Sequence, residues 1–136
     1  GPHGCGAGRI TNEEIQVSEH DTQAAFFTWA SYQRFPGIEL VHATPNGGAR
    51  LKAVAGKLKA EGVKAGVPDV CWPVARGGFI GLAIEFKHGD GNPTKEQRER
   101  ITALQQEGWC VAVCWSWQAA ARLLQGYAGL LRVQGP

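Results

Sequence analysis

A carboxylate and a lysine lie two residues apart at the end of an apolar stretch. Glu85 and Lys87 close the run Gly81-Leu-Ala-Ile-Glu-Phe-Lys87. Because side chains at i and i+2 of a strand point to the same side, these two share one face, and the large apolar residues occupy the other. Burying such charges is costly unless they pair or meet a metal. The sequence therefore predicts one packed strand face and one face left open beside an acid and a base.

A second carboxylate, Asp69, lies on the other arm of a predicted hairpin. Phosphodiester cleavage needs an activated water, an offset for the developing negative charge and alignment of the groups, and a divalent metal can supply all three. Mg²⁺ prefers oxygen ligands and keeps several waters, so that one or two carboxylates suffice to hold it. We expect Asp69, Glu85 and the backbone carbonyl of Phe86 to bind Mg²⁺, for which Mn²⁺ can substitute. The charge of Lys87 would favour hydroxide over water and offset charge on the phosphate.

The same residues also have purely structural interpretations. Asp69 could be only a turn residue after Pro68. Glu85 and Lys87 could be a salt pair on one face of an edge strand. Gln97, three residues after Thr94, could serve only to complete a helix capping box. Spacing alone leaves these alternatives open.

The elements that must position these residues follow from apolar periodicity and from turn and capping residues. The pattern predicts an α/β fold, a small mixed sheet with helices packed on it. Residues 126–136 carry no clear pattern. The predicted helices cover residues 18–34, 49–60, 95–107 and 117–125, capped at Ser18, Thr94 and Ser116, and the predicted strands cover 38–42, 69–74, 79–87 and 109–115.

Length and composition indicate a globular chain. The 136 residues suit one domain with a single core, and 43% hydrophobic with 19% charged residues is too apolar for a disordered chain. The four cysteines form no CxxC pair, which favours buried thiols in a reducing cytoplasm. No apolar run approaches the ~20 residues that span a bilayer. We predict a flexible N-terminal tail over residues 1–17, beginning with a cloning remnant, and a single domain over residues 18–136.

The acid and lysine pattern resembles a known nuclease signature. Gly66-Val-Pro-Asp69, a hairpin and Glu85-Phe-Lys87 look like the PD-(D/E)xK motif. From about Glu19 to Tyr127, the chain resembles the virus-type replication-repair nuclease (VRR-NUC) family, in its stand-alone phage and bacterial form. The blocks that carry this resemblance are Asn46-Gly47, Lys59-Ala-Glu-Gly62, Ala65-Gly-Val-Pro-Asp69, Gly81 to Lys87, Pro93-Thr-Lys-Glu-Gln97 and Gly108-Trp109.

This resemblance implies a restriction-endonuclease-like core and a metal-dependent DNA endonuclease with Asp69, Glu85 and Lys87 as its catalytic set. It also implies that Glu19, with Asp21 as a rival, completes the metal shell directly or through water. Gln97 would fix Lys87 or a water by hydrogen bonding. Similar compact nucleases act on branched DNA such as flaps and four-way (Holliday) junctions, in replication, repair and recombination, often as homodimers.

Basic residues form two clusters that would suit a phosphate-bearing partner. A solvated helix face is the alternative for such charges. Two further functions remain possible, a DNA-binding module that has lost cleavage and a nuclease for RNA or linear duplex DNA. The complete acid and lysine set argues against the first of these. The expected DNA contacts are Asn46, Arg50, Lys52, Lys57, Lys59, Lys64, His88, Lys95 and Arg98.

Overall fold

The computed structural model describes residues 18–45 and 52–132, without the side chains of 52–55. The predicted tail over residues 1–17 lies outside the described residues, as do Asn46 and Arg50. None of the helices in the described part is long and apolar enough to cross a membrane. The helices are α1 Glu19–Ser31, α2 Lys52–Ala60, α3 Lys95–Gln106 and α4 Trp117–Ala128, and the strands are β1 His42–Ala43, β2 Val70–Trp72, β3 Gly81–Phe86 and β4 Trp109–Cys114.

The four described strands form one mixed sheet in the order β1-β2-β3-β4. The first three run antiparallel, and β4 runs parallel to β3 after a crossover through α3. A tight turn joins β2 to β3, where Arg76 and Phe79 bridge across Gly77 and Gly78. Both glycines have positive φ, at 58° and 88°, as two-residue hairpin turns of the primed type require. The predicted mixed sheet flanked by helices is confirmed.

Strand β3 is the centre of the fold, and all six of its residues are buried. The core cluster joins alternate β3 residues such as Ile84 and Phe86 to Phe26 of α1 and Leu124 of α4. These two helices therefore cover one face of the sheet. Helix α3 packs against β4 and reaches Glu85 through Gln97, so it covers the opposite face. As far as the described residues show, helix α2 makes little contact with these layers.

The predicted helix starts are confirmed. In each case a side-chain hydroxyl accepts the backbone N–H three residues on, at 3.1 Å. These bonds satisfy donors that the first helical turn would otherwise leave open. The cap pairs are Ser18 with Asp21, Thr94 with Gln97 and Ser116 with Ala119.

Several predicted elements differ from the structure. Helix α1 ends at Ser31 rather than at residue 34, β2 covers Val70–Trp72 rather than 69–74, and β3 covers Gly81–Phe86 rather than 79–87. Residues 38–42 are not a strand: Ile38–Leu40 is a 3-10 turn, and β1 begins only at His42. Gly37 starts this turn with a φ of 86°, and its carbonyl accepts a 2.7 Å hydrogen bond from the Trp72 indole. At the other end, α4 continues beyond the predicted residue 125 to Ala128, because buried Tyr127 still belongs to the core.

Candidate active site

The two carboxylates of the predicted set lie side by side. Val70 pairs with Ile84 in the antiparallel register, so Asp69, one residue before β2, lies opposite Glu85. Residues directly opposite on antiparallel strands point to the same face. The Asp69 carboxylate accepts the backbone N–H of Phe86 through Oδ2 at 2.7 Å. Its orientation is therefore fixed by the strand that carries the second acid.

Thr44 holds the turn before Asp69, and sequence reasoning gave it no role. Its N–H donates to the Asp69 carbonyl at 2.9 Å, and its hydroxyl donates to the Pro68 carbonyl. The contact spans 24 residues of sequence. No local sequence pattern predicts such a contact, because the contact depends on how β1 pairs with β2.

Gly66 brings the same loop against helix α3. It has a φ of 83°, and a Cβ at this position would lie 2.8 Å from the backbone oxygen of Glu96. Only glycine combines that backbone conformation with so close an approach. The loop that ends at Asp69 is thereby packed on the first turn of the helix that carries Gln97.

Glu85 is buried, with 2% of its surface exposed. Its Oε2 accepts a 2.7 Å hydrogen bond from Gln97 Nε2 and lies 3.9 Å from the ammonium of Lys87. Its Oε1 is buried and has no hydrogen-bond donor among the described residues. A buried carboxylate oxygen without a donor is costly unless a proton or a cation neutralises the group.

Burial, and then the negative charge of Asp69, raise the pKa of Glu85 to about 8. Lys87 acts in the opposite direction, and Glu19 adds a smaller upward contribution. Lys87 lowers the pKa of Glu85 by less than burial raises it, because its ammonium is 3.9 Å away whereas the carboxyl has lost its water. Without a cation the Glu85 carboxyl is therefore largely protonated at neutral pH. A divalent cation would reverse that preference.

Lys87 is the first residue after β3 and continues the β3–β4 register. Its N–H donates to the carbonyl of Cys114 at 3.0 Å, which extends the β3–β4 pairing by one residue. Its side chain is 12% exposed and shares a face with Glu85, as the spacing predicts. The lysine is thus a nearly buried cation beside the Glu85 carboxylate.

Gln97 serves the helix cap and the site at once. Its Oε1 accepts the Thr94 N–H at 2.8 Å, while its Nε2 donates to Glu85. The predicted capping box is therefore present, and so is a link to the acidic pair. The amide donates to Glu85, and the expected hydrogen bond from Gln97 to Lys87 or to a water stays a prediction.

Glu19 and Asp21 separate into two roles. Asp21 completes the capping box of Ser18. Glu19 Oε2 lies 3.2 Å from Nδ1 of His88, two residues after the end of β3. Within residues 18–45 and 52–132, no three His, Cys, Asp or Glu side chains group closely enough to hold a metal. A place for Glu19 in a metal shell therefore stays a prediction.

The strand face beside the acids is less open than the sequence predicts. The indole of Trp109 lies over Gly81, where any Cβ would overlap it. Gln97 of α3 covers Glu85 farther along the same face. Small residues at this face admit a neighbouring ring rather than leaving a space, so the expectation of an open face is corrected.

The predicted DNA contacts fall into several groups. Lys57, Lys59 and Lys64 are exposed in and after α2, and Lys95 and Arg98 are exposed on α3. Lys52 lies in α2, but its side chain is not among those that the structure describes. His88 is partly exposed and paired with Glu19. A role of these residues in binding DNA stays a prediction.

The profile of the VRR-NUC domain family matches residues 9–118 of this chain. The chain belongs to the VRR-NUC family. A solved structure described as a VRR_NUC domain protein is 33% identical, covers 88% of this chain and 94% of its own, and superposes with a TM-score of 0.74. No curated protein matches the chain. The VRR-NUC domain described here is therefore a nuclease-type domain that processes DNA.

Proposed function

We propose that this VRR-NUC domain is a Mg²⁺-dependent endonuclease that hydrolyses phosphodiester bonds in branched DNA. One observation carries the proposal: Asp69 and Glu85 lie opposite each other on neighbouring strands, with Lys87 on the same face. Two carboxylates and a lysine in this arrangement suit hydrolysis of a phosphodiester. The family match supports the nuclease class.

The acidic pair fits a magnesium ion. The donors are carboxylate oxygens, and the buried Oε1 of Glu85 lacks a hydrogen-bond donor among the described residues. Asp69, Glu85 and the Phe86 carbonyl would hold the ion. Two carboxylates suffice because Mg²⁺ keeps several waters of its own. When bound, the ion would supply Lewis-acid activation and charge neutralisation.

The remaining chemistry falls to residues of the chain. Lys87 would place a positive charge beside the phosphate that develops negative charge in the transition state. Gln97 holds one oxygen of Glu85, so that the carboxylate keeps its orientation. The Phe86 N–H does the same for Asp69. Such outer contacts decide how well acidic ligands are aligned.

Exposed cations support DNA as the partner. Lys95 and Arg98 lie on the first turns of α3, the helix that holds Gln97. The described elements form the sheet and its helices, with no separate domain for reading base sequence. We therefore expect the enzyme to recognise DNA shape rather than sequence. A homodimer would present two such sites to a four-way junction.

The experiment that tests this proposal uses a panel of labelled DNAs. Flap, splayed-arm, four-way and linear duplex substrates, with one matched RNA, are incubated with Mg²⁺, Mn²⁺ or EDTA and resolved on denaturing gels. We expect internal cuts in branched DNA with either metal and none with EDTA. Cleavage in EDTA would reject the metal mechanism, and binding without any cleavage would support a non-catalytic DNA-binding module. Light scattering on the same preparation would test the dimer.

A further inference from the structure

Arg76 is a buried arginine at the end of the β2–β3 hairpin that lies away from the acidic pair. Only 5% of its surface is exposed. Its Nη1 donates to the adjacent Ala75 carbonyl at 2.8 Å, and its Nη2 reaches the Pro36 carbonyl at 3.4 Å. Its Nε is buried and finds no acceptor among the described residues. Two neutral carbonyls, one at the limit of hydrogen-bonding distance, are poor compensation for a buried guanidinium.

Among the residues that the structure describes, no carboxylate forms an ion pair with Arg76. In the described part of the chain, the ion pairs join Lys87 with Glu85 and His88 with Glu19, and neither involves Arg76. Fully buried arginines are almost always paired. Removing a cation from water without a counter-ion costs several kcal/mol. The position therefore calls for an anion that the described residues do not supply.

A cleft of about 310 Å³ opens beside Arg76 and gives such an anion a place. A second arginine, Arg132, also lines it. The described residues that line the cleft include no Asp or Glu, so its two cations meet no opposite charge there. The other lining residues are Pro36, Gly37, Leu40, Pro73, Val74 and Ala75.

We propose that this cleft is a phosphate-binding site, separate from the acidic pair, with Arg76 and Arg132 as its cationic ligands. A guanidinium presents a planar fork of donors that matches two phosphate oxygens at once. The Arg76 guanidinium and the neighbouring Arg132 supply the charge. The phosphate has two possible sources, the backbone of a DNA arm or a free phosphate-bearing small molecule.

The position of the cleft suits a DNA arm. Asp69 lies directly before β2, and Arg76 lies after β2, seven residues beyond Asp69 in the sequence. At about 3.3 Å per extended residue, the two sites are at most about 23 Å apart, or roughly seven base-pair steps. A duplex held at the cleft would thus be long enough to reach the acidic pair. This source rests on the proposed DNA substrate, whereas the phosphate site itself does not.

The test is a titration of the full chain with inorganic phosphate in the presence of EDTA. The chemical shifts of the backbone amides are measured by NMR at each phosphate concentration. Sodium chloride at matched ionic strength is the reference. We expect saturable shifts of the Gly37 and Ala75 amides with phosphate and none with chloride. Absence of saturable shifts would overturn the proposal. Because EDTA prevents metal-dependent cleavage, this result is independent of whether the protein cuts DNA.

Variants identify the ligands. Arg132→Ala removes an exposed side chain, so it should keep the fold and weaken phosphate binding roughly tenfold. Arg76→Lys keeps the charge but loses the fork, and should weaken binding by a similar factor. Arg122→Ala is the matched control, an exposed arginine on α4 that should leave phosphate binding unchanged. Wild-type affinity in Arg132→Ala would contradict the site, even if Arg76→Lys does not fold.

A competition experiment separates the two sources. If a duplex DNA arm occupies the cleft, saturating DNA should raise the phosphate concentration needed for half-maximal shifts, and Arg132→Ala should bind DNA more weakly than Arg122→Ala. If phosphate binds equally well with DNA present, the ligand is a free phosphate-bearing molecule. Either result keeps the site and assigns its source.

Discussion

Gln97 and Glu85 are joined by a 2.7 Å hydrogen bond from the amide Nε2 to the carboxylate Oε2. The same amide accepts the Thr94 N–H through its oxygen at 2.8 Å. One side chain thus fixes both the start of α3 and an acid of the candidate active site. Gln97 therefore links the start of helix α3 to Glu85. A substitution can remove its contact with Glu85 and keep its contact with Thr94.

Gln97→Glu separates the cap from the site. The new side chain can still accept the Thr94 N–H, but it presents a carboxylate instead of a donor to Glu85. We expect cleavage to fall roughly 10–100-fold while helix stability is kept. Thr94→Ala is the control, since it should cost about 1 kcal/mol of stability and leave cleavage nearly unchanged. Equal loss of cleavage in both variants would mean that Gln97 acts only as a cap.

Glu85 makes the stability of the metal-free protein depend on pH. Its pKa rises from 4.5 to about 8 on folding, so the folded state binds more protons between these values than the unfolded state does. Stability should therefore fall as pH rises from 4.5 to about 8, by a few kcal/mol in order of magnitude. Urea unfolding in EDTA across this range measures it. Glu85→Gln should flatten the slope, and an identical slope in the variant would contradict the raised pKa.

Metal binding should release a proton from Glu85. The carboxyl must ionise to bind a cation, so Mg²⁺ affinity should rise up to about tenfold per pH unit below the pKa of about 8 and level off above it. Calorimetry in buffers of different ionisation enthalpy measures the released proton directly. Asp69→Asn should weaken binding at every pH. An unchanged isotherm in that variant would exclude Asp69 as a ligand.

Lys87→Ala should separate cleavage from binding. Loss of the charge beside the phosphate should reduce cleavage at least about 100-fold, with DNA affinity largely retained. Lys95→Ala, an exposed lysine on α3, is the matched control and should weaken DNA binding and its salt dependence with a smaller effect on turnover. Single-turnover cleavage and a salt series of binding isotherms provide both readouts. Wild-type cleavage by Lys87→Ala would remove the lysine from the catalytic set.

Gly66→Ala should disturb the approach of the Asp69 loop to α3. The added Cβ meets the Glu96 carbonyl at 2.8 Å, on a backbone with positive φ. We expect a loss of roughly 1–3 kcal/mol together with weaker metal binding. Gly62→Ala is the control, because Gly62 has a φ of 97° and no atom within 4 Å of a new Cβ. If Gly66→Ala lowers the free energy of unfolding by no more than Gly62→Ala does, the contact of the new Cβ with Glu96 is not destabilising.

Local chemistry in the sequence determined much of this VRR-NUC domain. Three helix caps are correctly predicted, because each capping hydroxyl and the backbone N–H that donates to it lie within one turn of chain. The alternation in β3 correctly puts Glu85 and Lys87 on one face, since strand geometry repeats every two residues. The hairpin at Gly77 and Gly78 is predicted for the same reason, as its backbone requirement is local.

Only the tertiary structure decided which side chains meet. The Gln97 amide reaches Glu85 because α3 folds back over β3. Thr44 holds the Pro68 carbonyl before Asp69, across 24 residues of sequence, through the β1–β2 pairing. Residues 38–42 depart from their strand pattern where Gly37 meets Trp72. The pKa of Glu85 and the burial of Arg76 likewise depend on distant neighbours. Spacing along the chain determines which face a side chain takes, whereas packing between elements determines what it finds there.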